Sequence, residues 1–423
     1  MKCSKWLSRF LLCTLICLVV LADTDSQRTR AGDWPQILGP QRNGIAENET
    51  LLTKWPKTEP AVAWQMKVGE GFAGAAVQDG IAIIFHRVED KEILEARGLE
   101  DGKTLWEQKF DTDYQARISP DTGPRCVPTI HAGQVFAFGA SGDLHCVTLK
   151  DGKHLWSRDL FKDYDSDEGY FGAGSSPLVY DGKVYINVGG KKGGIVALSA
   201  KDGTSVWTAT QDQASYSSPI IAEIDGKTRI VFVTRLTATA VDPSNGDEVF
   251  QFPFGERGPT VNGANPLVFD NKLFLTASYG IGAKMYDISG LKPKELWSND
   301  RSLSSQYTTA IFYKGYLYGT HGREDAGAGS LRCIDIKDGS IKWSEDGVAM
   351  THFILVGDKL LGWSVDGTLR LAEANPKNYQ EIAKARIFDG DARALPALSQ
   401  GKLLVRSNAE AGQASLKCLI VGE

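Results

Sequence analysis

One short segment, residues 151–156 with the sequence Asp-Gly-Lys-His-Leu-Trp, recurs along the chain and indicates its fold. Each copy has an Asp-Gly pair, three further residues and then an aromatic residue. The copies and their variants carry the aromatic residue at Trp64, Trp106, Trp156, Trp207, Phe250, Trp297, Trp343 and Phe388. Trp64 and Trp297 lack the Asp-Gly pair, and Phe388 marks a weaker copy. Successive aromatic residues are 42 to 51 positions apart, which indicates a repeat fold.

Each repeat predicts the four strands of one antiparallel sheet. In one repeat, residues 175–179 (Ser-Ser-Pro-Leu-Val) precede an Asp-Gly turn and an alternating strand over 184–188. A Gly-rich turn and a third strand over 194–198 follow, and a second Asp-Gly pair leads into the strand with Trp207. Asp-Gly and Asn-Gly favour the tight turns that join antiparallel strands. Because one such sheet cannot bury both faces, we expect the sheets to stack as blades of a closed ring.

The number of blades follows from the third strands, which centre on Ala96, Cys146, Ala197, Ala240, Tyr286, Cys333, Leu371 and Cys418. The last repeat ends at Glu423 directly after its third strand, whereas the strand at 61–68 has no partners before it. We therefore expect the N-terminal strand to complete the last blade. The sequence predicts an all-β, eight-bladed β-propeller of four-stranded antiparallel blades over residues 61–423, closed by the N-terminal strand and monomeric.

This alignment also predicts the state of the cysteines. Cys146, Cys333 and Cys418 occupy a third-strand position that alanine fills in other blades, which indicates a small buried site. Cys126 is predicted in the first strand of the second blade, two strands from Cys146 and beyond disulfide reach. We expect all four to pack in the core, without disulfides, metal binding or catalysis.

The N-terminus has the pattern of an export signal. Basic residues at Lys2, Lys5 and Arg9 precede an apolar run over 10–21, which is too short to cross a bilayer comfortably. A small-residue cleavage site follows, so we expect residues 1–22 to be a signal peptide cleaved after Ala22. Residues 23–60 then form a leader packed on the propeller. The mature chain is expected to be periplasmic or secreted, with no transmembrane segment.

The charge balance excludes one class of partner. The chain has 47 Lys and Arg residues against 52 Asp and Glu residues, for a net charge of −5. Binding to nucleic acid requires clustered basic residues, and the sequence has no long basic stripe. We therefore expect no nucleic-acid partner.

The Asp-Gly-x-x-x-Trp ending on a repeat of this length resembles the pyrroloquinoline quinone (PQQ) repeat family of β-propellers, over about residues 61–423. One branch, the quinoprotein dehydrogenases, implies PQQ and Ca²⁺ over the propeller axis and a pair of adjacent cysteines, which this chain lacks. The other branch consists of non-catalytic scaffolds like the BamB lipoprotein of outer-membrane assembly, which the length and single domain of this chain resemble more closely. The leader at 33–44 resembles that of exported, PQQ-binding-like propellers of planctomycete-type bacteria.

Candidate ligand-binding residues lie in the loops that lead into first strands and in one hairpin, because propeller ligands usually bind at the mouth of the central channel. Guanidinium groups there suit a carboxylate, a phosphate or a quinone acid, although the same residues also serve as polar lining of a water-filled channel. The hairpin from His321 to Gly329 combines His, Glu and Asp, which suits acid–base work or a metal, or else forms a polar turn. The candidates are Arg125, Tyr170, Asn262, Asn265, Gln306, His321, Arg323, Asp325, His352 and Arg393.

A weak calcium site is predicted at Asp163, Asp165 and Asp167. Carboxylates at alternate positions of a tight loop can wrap Ca²⁺. The loop lacks the Gly and Glu positions of an EF-hand, and the alternative is a solvated acidic loop.

Three functions remain open from the sequence. The first is an exported, non-catalytic scaffold of the cell envelope that binds a protein or envelope partner and needs no cofactor. The second is a dehydrogenase that depends on PQQ and Ca²⁺. The third is an enzyme acting on a sugar or small acid, with His321, Asp325 and His352 in the channel mouth.

Overall fold

The computed structural model of the chain describes residues 32–55, 58–119, 121–290, 292–327, 329–408 and 414–422. The predicted signal peptide, residues 1–22, and the start of the leader, residues 23–31, lie outside the described residues.

Four-stranded antiparallel sheets follow one another around a ring, and eight of them are formed by the described residues. Blades one to four contain β2 (Ala76–Gln78), β3 (Ile81–Val88), β4 (Lys91–Gly98), β5 (Thr104–Asp111); β6 (Thr129–His131), β7 (Gln134–Phe138), β8 (Asp143–Thr148), β9 (His154–Asp159); β10 (Leu178–Tyr180), β11 (Lys183–Gly190), β12 (Gly193–Ser199), β13 (Ser205–Ala209); and β14 (Ile220–Ile224), β15 (Lys227–Val233), β16 (Thr237–Val241), β17 (Glu248–Pro253). Blades five to eight contain β18 (Leu267–Phe269), β19 (Lys272–Ala277), β20 (Gly282–Asp287), β21 (Lys294–Asn299); β22 (Ile311–Tyr313), β23 (Tyr316–His321), β24 (Gly329–Asp335), β25 (Ile341–Val348); β26 (Thr351–Val356), β27 (Lys359–Ser364), β28 (Thr368–Glu373), β29 (Glu381–Arg386); and β30 (Ala397–Ser399), β31 (Lys402–Arg406), β32 (Ser415–Ile420) with β1 (Ala61–Lys67). The predicted eight-bladed propeller is confirmed.

Helices are short in this structure. They comprise α1 (Leu160–Tyr164), between blades two and three, and a single 3₁₀ turn (Glu324–Ala326) in blade six. Within the described part of the chain, neither these nor any other helix has the length and apolar character needed to cross a membrane.

The ring closes as the sequence predicts. The eighth sheet has the order β1-β32-β31-β30, so its outer strand comes from the N-terminal end of the propeller. In this pairing Trp64 lies opposite Cys418. Because the two ends of the ring share one sheet, opening the ring requires breaking a complete strand ladder.

The repeated tryptophans join neighbouring blades. The indole N–H of Trp106 in blade one donates to the carbonyl of Leu149 in blade two at 2.8 Å. Trp156 donates in the same way to Ala200 of blade three at 3.1 Å. Trp64 of blade eight donates to Leu99 of blade one at 2.8 Å, so the contact also spans the closure. A motif that recurs in sequence is therefore a recurring contact between blades.

Blade five has its predicted third strand, β20, which contains Tyr286 and places Met285 opposite Trp297. One detail of the repeat alignment is wrong. In blade seven Phe388 lies beyond β29, and the residue opposite Leu371 is Ala383. An aromatic residue at Ala383 would have no hairpin turn to contact in the next blade, because the third and fourth strands of blade eight come from opposite ends of the chain.

The four cysteines of the described residues are buried and free, as predicted. Cys146, Cys333 and Cys418 lie opposite Trp156, Trp343 and Trp64 in their sheets. Cys126 is also buried, but it precedes β6 instead of lying within the strand.

The leader crosses the central channel of the ring. Trp34 forms an antiparallel bridge with Val77 in the first strand of blade one. Ile45 forms a parallel bridge with Leu355 in the first strand of blade seven. Between them the buried Arg42 donates hydrogen bonds to the carbonyls of Pro177 and Pro219, at blades three and four. The segment 34–46 therefore contacts innermost strands on several sides of the channel.

Candidate ligand-binding cavity at the channel mouth

A cavity of about 630 Å³ lies where the segments preceding the first strands converge. Phe72, Arg125, Tyr216, His352 and Arg393 line it, each a few residues before or at the start of an innermost strand. Short first strands leave these segments close to the axis, so blades far apart in sequence contribute to one wall. A volume of this size suits a small ligand.

The leader contributes one residue to this cavity, Ile37. Ile37 is buried and lies five residues before Arg42, whose side chain bonds carbonyls at several innermost strands. Burial lowers the pKa of Arg42 to about 9. The leader therefore closes one end of the channel and leaves the cavity as a pocket on the other face.

Arg125 lies between two aromatic rings in this pocket. Its guanidinium carbon is 5.1 Å from the centroid of Phe72 and 5.6 Å from that of Phe171. Two of its nitrogens donate to the backbone carbonyls of Gly123 and Asp121, at 3.0 and 3.2 Å. Burial lowers the pKa of Arg125. The group is thus held rigidly in an apolar setting.

Arg323, in contrast, has a carboxylate partner. It forms an ion pair with Asp325, with Nε 3.0 Å from Oδ1, and its guanidinium covers the Tyr279 ring at 4.3 Å. The hydrogen bond from Arg323 lowers the pKa of Asp325. Gln306 donates to the Tyr279 hydroxyl at 3.0 Å and lies 3.4 Å from Asp325. This set therefore neutralises its own charge.

Arg393 belongs to a second paired set. Its Nε lies 2.9 Å from Glu324 Oε1 and 3.4 Å from Asp391 Oδ2. The Tyr307 hydroxyl donates to the other oxygen of Glu324 at 2.7 Å. Burial raises the pKa of Asp391 to about 6, although Arg393 opposes the shift.

His352 is neutral at physiological pH. Burial lowers its pKa to about 4. Its Nε2 lies 3.2 Å from the carbonyl oxygen of Arg393, and only a protonated Nε2 can donate to that acceptor. The ring is therefore fixed in one tautomer beside Tyr307.

Eight of the ten predicted residues line this cavity: Arg125, Tyr170, Asn265, Gln306, Arg323, Asp325, His352 and Arg393. Asn262 lines an adjoining cleft of about 520 Å³, where its amide nitrogen donates to the carbonyls of Thr234 and Arg235. His321 lines neither space, and its Nδ1 accepts a hydrogen bond from the Ser304 amide at 3.1 Å.

The aromatic wall was not predicted. Phe72, Phe171, Tyr216 and Tyr279 line the cavity, and none was a sequence candidate. Three of them precede a first strand, so the loop position that selected Arg125 also applied to them. Aromatic residues are common in propeller cores, however, so the residue type alone did not indicate that these four line a cavity.

The three aspartates of the predicted calcium loop face different partners. Asp163 pairs with Arg158 at 2.6 Å, and Asp165 lies 3.4 Å from Lys191. Asp167 accepts from the amide of Gly169 at 2.7 Å. Across the described ranges, no group of three or more His, Cys, Asp or Glu side chains is arranged to hold a metal ion.

Comparison with known proteins gives one family and several structural relatives. The model of the family described as outer membrane protein assembly factor BamB matches residues 45–162 and 89–345. BamB of Salmonella typhimurium is 24% identical over 287 residues, which cover 62% of this chain and 69% of that protein.

Solved structures with the same fold come from both branches of propeller. BamB of Moraxella catarrhalis superposes with a TM-score of 0.62 at 14% identity, covering 85% of this chain and 97% of the other. Quinohemoprotein alcohol dehydrogenase of Comamonas testosteroni gives a TM-score of 0.68 at 13% identity, covering 94% and 82%. At these identities the likeness shows the fold alone.

Proposed function

The chain belongs to the family of the outer membrane protein assembly factor BamB, and on this premise we propose that it is an exported, non-catalytic propeller that binds a partner in the cell envelope. Its predicted signal peptide and the name of its relatives support a periplasmic or secreted location. The proposed binding face is the one that carries the cavity.

The observation that carries this proposal is the pairing of charged groups in the cavity. Both carboxylates that line it, Glu324 and Asp325, are already engaged by Arg393 and Arg323. His352 is buried and neutral, with one nitrogen hydrogen-bonded to the backbone. A general base needs a pKa near the operating pH, and a pKa of about 4 makes the remaining nitrogen of His352 a weak base. The cavity therefore offers shape and apolar surface rather than reactive groups.

The rim of the cavity supports binding to a partner. Ile118 and Tyr170 are 63% and 38% exposed, and both line the cavity. They belong to two of the loops between blades, at 112–128 and 160–177. Exposed apolar side chains beside a pocket are typical of interaction sites.

The PQQ dehydrogenase alternative requires a site that the residues present do not fit. PQQ is a planar polycarboxylate, and such a ligand needs several available cations. Arg323 and Arg393 already pair with carboxylates, which leaves Arg125. Two adjoining cysteines and a cluster of metal-binding carboxylates would also be expected, yet the four cysteines of the described chain are separate and buried.

A capture experiment tests the proposed function. The full chain is expressed with an affinity tag, and envelope proteins that copurify are compared between wild type and the double variant Ile118→Glu/Tyr170→Glu. The control, Leu155→Glu/Leu296→Glu, changes two apolar residues on outer strands that are 38% and 43% exposed. We expect one envelope partner at a stoichiometric level with wild type and control, and its loss with the rim variant. Equal capture by all three proteins contradicts the proposal.

A further inference from the structure

One of the three arginines that line the cavity, Arg125, has no carboxylate partner within the described ranges. Arg125, Arg323 and Arg393 line it against Glu324 and Asp325. Among the described residues, the ion pairs engage Arg323 and Arg393, while Arg125 bonds only to backbone carbonyls. A guanidinium has five N–H donors, so Arg125 keeps donors for a further acceptor.

A second residue of the cavity wall, Asn265, carries a buried donor without an acceptor in the described part of the chain. Asn265 is 3% exposed, and its Nδ2 has no hydrogen-bond partner among the described residues. The side chain cannot simply be turned over, because its Oδ1 accepts from the Ser218 amide at 2.8 Å. A buried amide donor without a partner costs free energy, which a bound acceptor would recover.

Arg125 and Asn265 lie on different walls of the cavity. Arg125 precedes the first strand of blade two, and Asn265 precedes that of blade five. Phe171, Tyr216 and Tyr279 line the same cavity, so the two donors share it with aromatic ring surface. An occupant must therefore be apolar and flat in its middle and must carry acceptors at separated positions.

From these contacts we propose that the cavity binds a small monocarboxylate with an aromatic body and a second hydrogen-bond acceptor. The carboxylate pairs with Arg125 between Phe72 and Phe171, and the second acceptor takes the free N–H of Asn265. A single carboxylate matches the single unpaired cation, whereas further carboxylates would compete with Asp325 and Glu324 for their arginines. This inference rests on the proposed function, because it assigns a ligand to the cavity of a binding protein.

The test uses three small probes and the full chain in isothermal titration. The first, 4-acetamidobenzoate, has the carboxylate, the ring and an amide acceptor. The second, 4-acetamidobenzamide, replaces the carboxylate by a neutral carboxamide, and the third, benzene-1,3,5-tricarboxylate, has three carboxylates and no amide. We expect saturable binding of the first probe and at least about tenfold weaker binding of both others. The second probe loses the hydrogen bond between a carboxylate and a guanidinium, and the third carries more carboxylates than there are unpaired arginines in the cavity.

Variants locate the site. We expect Arg125→Gln to weaken 4-acetamidobenzoate at least about tenfold, and Asn265→Asp, which keeps the acceptor for Ser218, to weaken it as well. Arg386→Gln, on the outer strand of blade seven, is the control and should bind like wild type. Circular dichroism and melting temperature establish that each variant is folded.

Three results would overturn the inference: no binding of 4-acetamidobenzoate to wild type at millimolar concentration, equal binding of acid and amide, or full affinity in a folded Arg125→Gln variant. The comparison of probes on wild type stands even if a variant fails to fold. If 4-acetamidobenzoate does not bind but an envelope partner is captured, only the proposed ligand is rejected. Probe binding without capture rejects the proposed function and leaves the ligand site.

Discussion

Gly152 of blade two lies against the indole of Trp106 of blade one, so closely that a Cβ atom at Gly152 would be 2.6 Å from the ring. The same contact joins Gly102 to Trp64, Gly203 to Trp156 and Gly339 to Trp297. The Asp-Gly pair and the tryptophan of the repeat are thus halves of a contact between blades. Gly is required there by its positive φ and by the ring above it.

Gly152→Ala should destabilise the fold more than an equivalent change without a ring. Gly182→Ala is the matched control, since its φ of +65° is close to the +67° of Gly152 and no atom lies within 4 Å of its added Cβ. Both variants bear the cost of a left-handed alanine, and only Gly152→Ala also overlaps the indole. We expect an additional loss of about 1–3 kcal/mol in unfolding free energy, measured by urea denaturation. Equal losses would show that the ring contact is unimportant.

Trp106→Phe should remove the hydrogen bond that the indole N–H donates from blade one to the Leu149 carbonyl of blade two. The Leu149 carbonyl would lose its 2.8 Å donor in a buried place, which costs about 1–3 kcal/mol. Trp363→Phe is the comparison, because Trp363 is buried and its indole N–H has no partner in the described chain. Urea denaturation should give the larger loss for Trp106→Phe. A larger loss for Trp363→Phe would contradict the role given to the indole N–H.

Arg42→Met should loosen the leader. The change removes donors from the buried carbonyls of Pro177 and Pro219 while keeping an apolar side chain of similar length. We expect a lower melting temperature and faster proteolysis within residues 32–55, with Arg42→Lys intermediate because it retains a charged donor. If all three proteins resist protease equally, Arg42 does not hold the leader in the channel.

Glu92→Gln should change how stability depends on pH. Burial raises the pKa of Glu92 to about 7 in the folded chain, although the Ala140 amide opposes the shift. Between its unfolded and folded pKa values, from about pH 4.5 to 7, the folded state holds more protons on this group. The contribution of Glu92 to stability therefore falls as pH rises through that window.

Gln cannot ionise and can still accept from Ala140, so Glu92→Gln should gain stability relative to wild type as pH rises from 5 to 8. The gain should be on the order of 1–3 kcal/mol, followed by urea denaturation across the pH series. A difference that stays constant with pH would mean that Glu92 ionises normally in the fold.

The sequence predicts the ring well because its determinants are local and repeated. Turn pairs, alternating strands and the missing fourth strand at Glu423 together specify eight blades and their closure. The alignment failed at Phe388, where a free-standing aromatic residue beyond the fourth strand resembled the motif.

The cavity was predictable only in part. Loop position selected most of its polar residues, since blade connections converge at one mouth. It did not show that Asn262 and His321 turn toward backbone groups, nor that Glu324 bridges Tyr307 and Arg393. Those facts depend on contacts between distant blades. The closure of the channel by the leader likewise depends on Arg42 reaching carbonyls more than 130 positions away.

Site-specific photocrosslinking in intact cells tests whether the face with the cavity binds an envelope partner. A photoreactive amino acid is placed at Tyr170 on the rim and, in a parallel strain, at Leu155 on the outer strand of blade two; both side chains are 38% exposed. We expect one discrete adduct with an envelope protein from position 170 and none from position 155. The same adduct from both positions, or an adduct from position 155 alone, would contradict it.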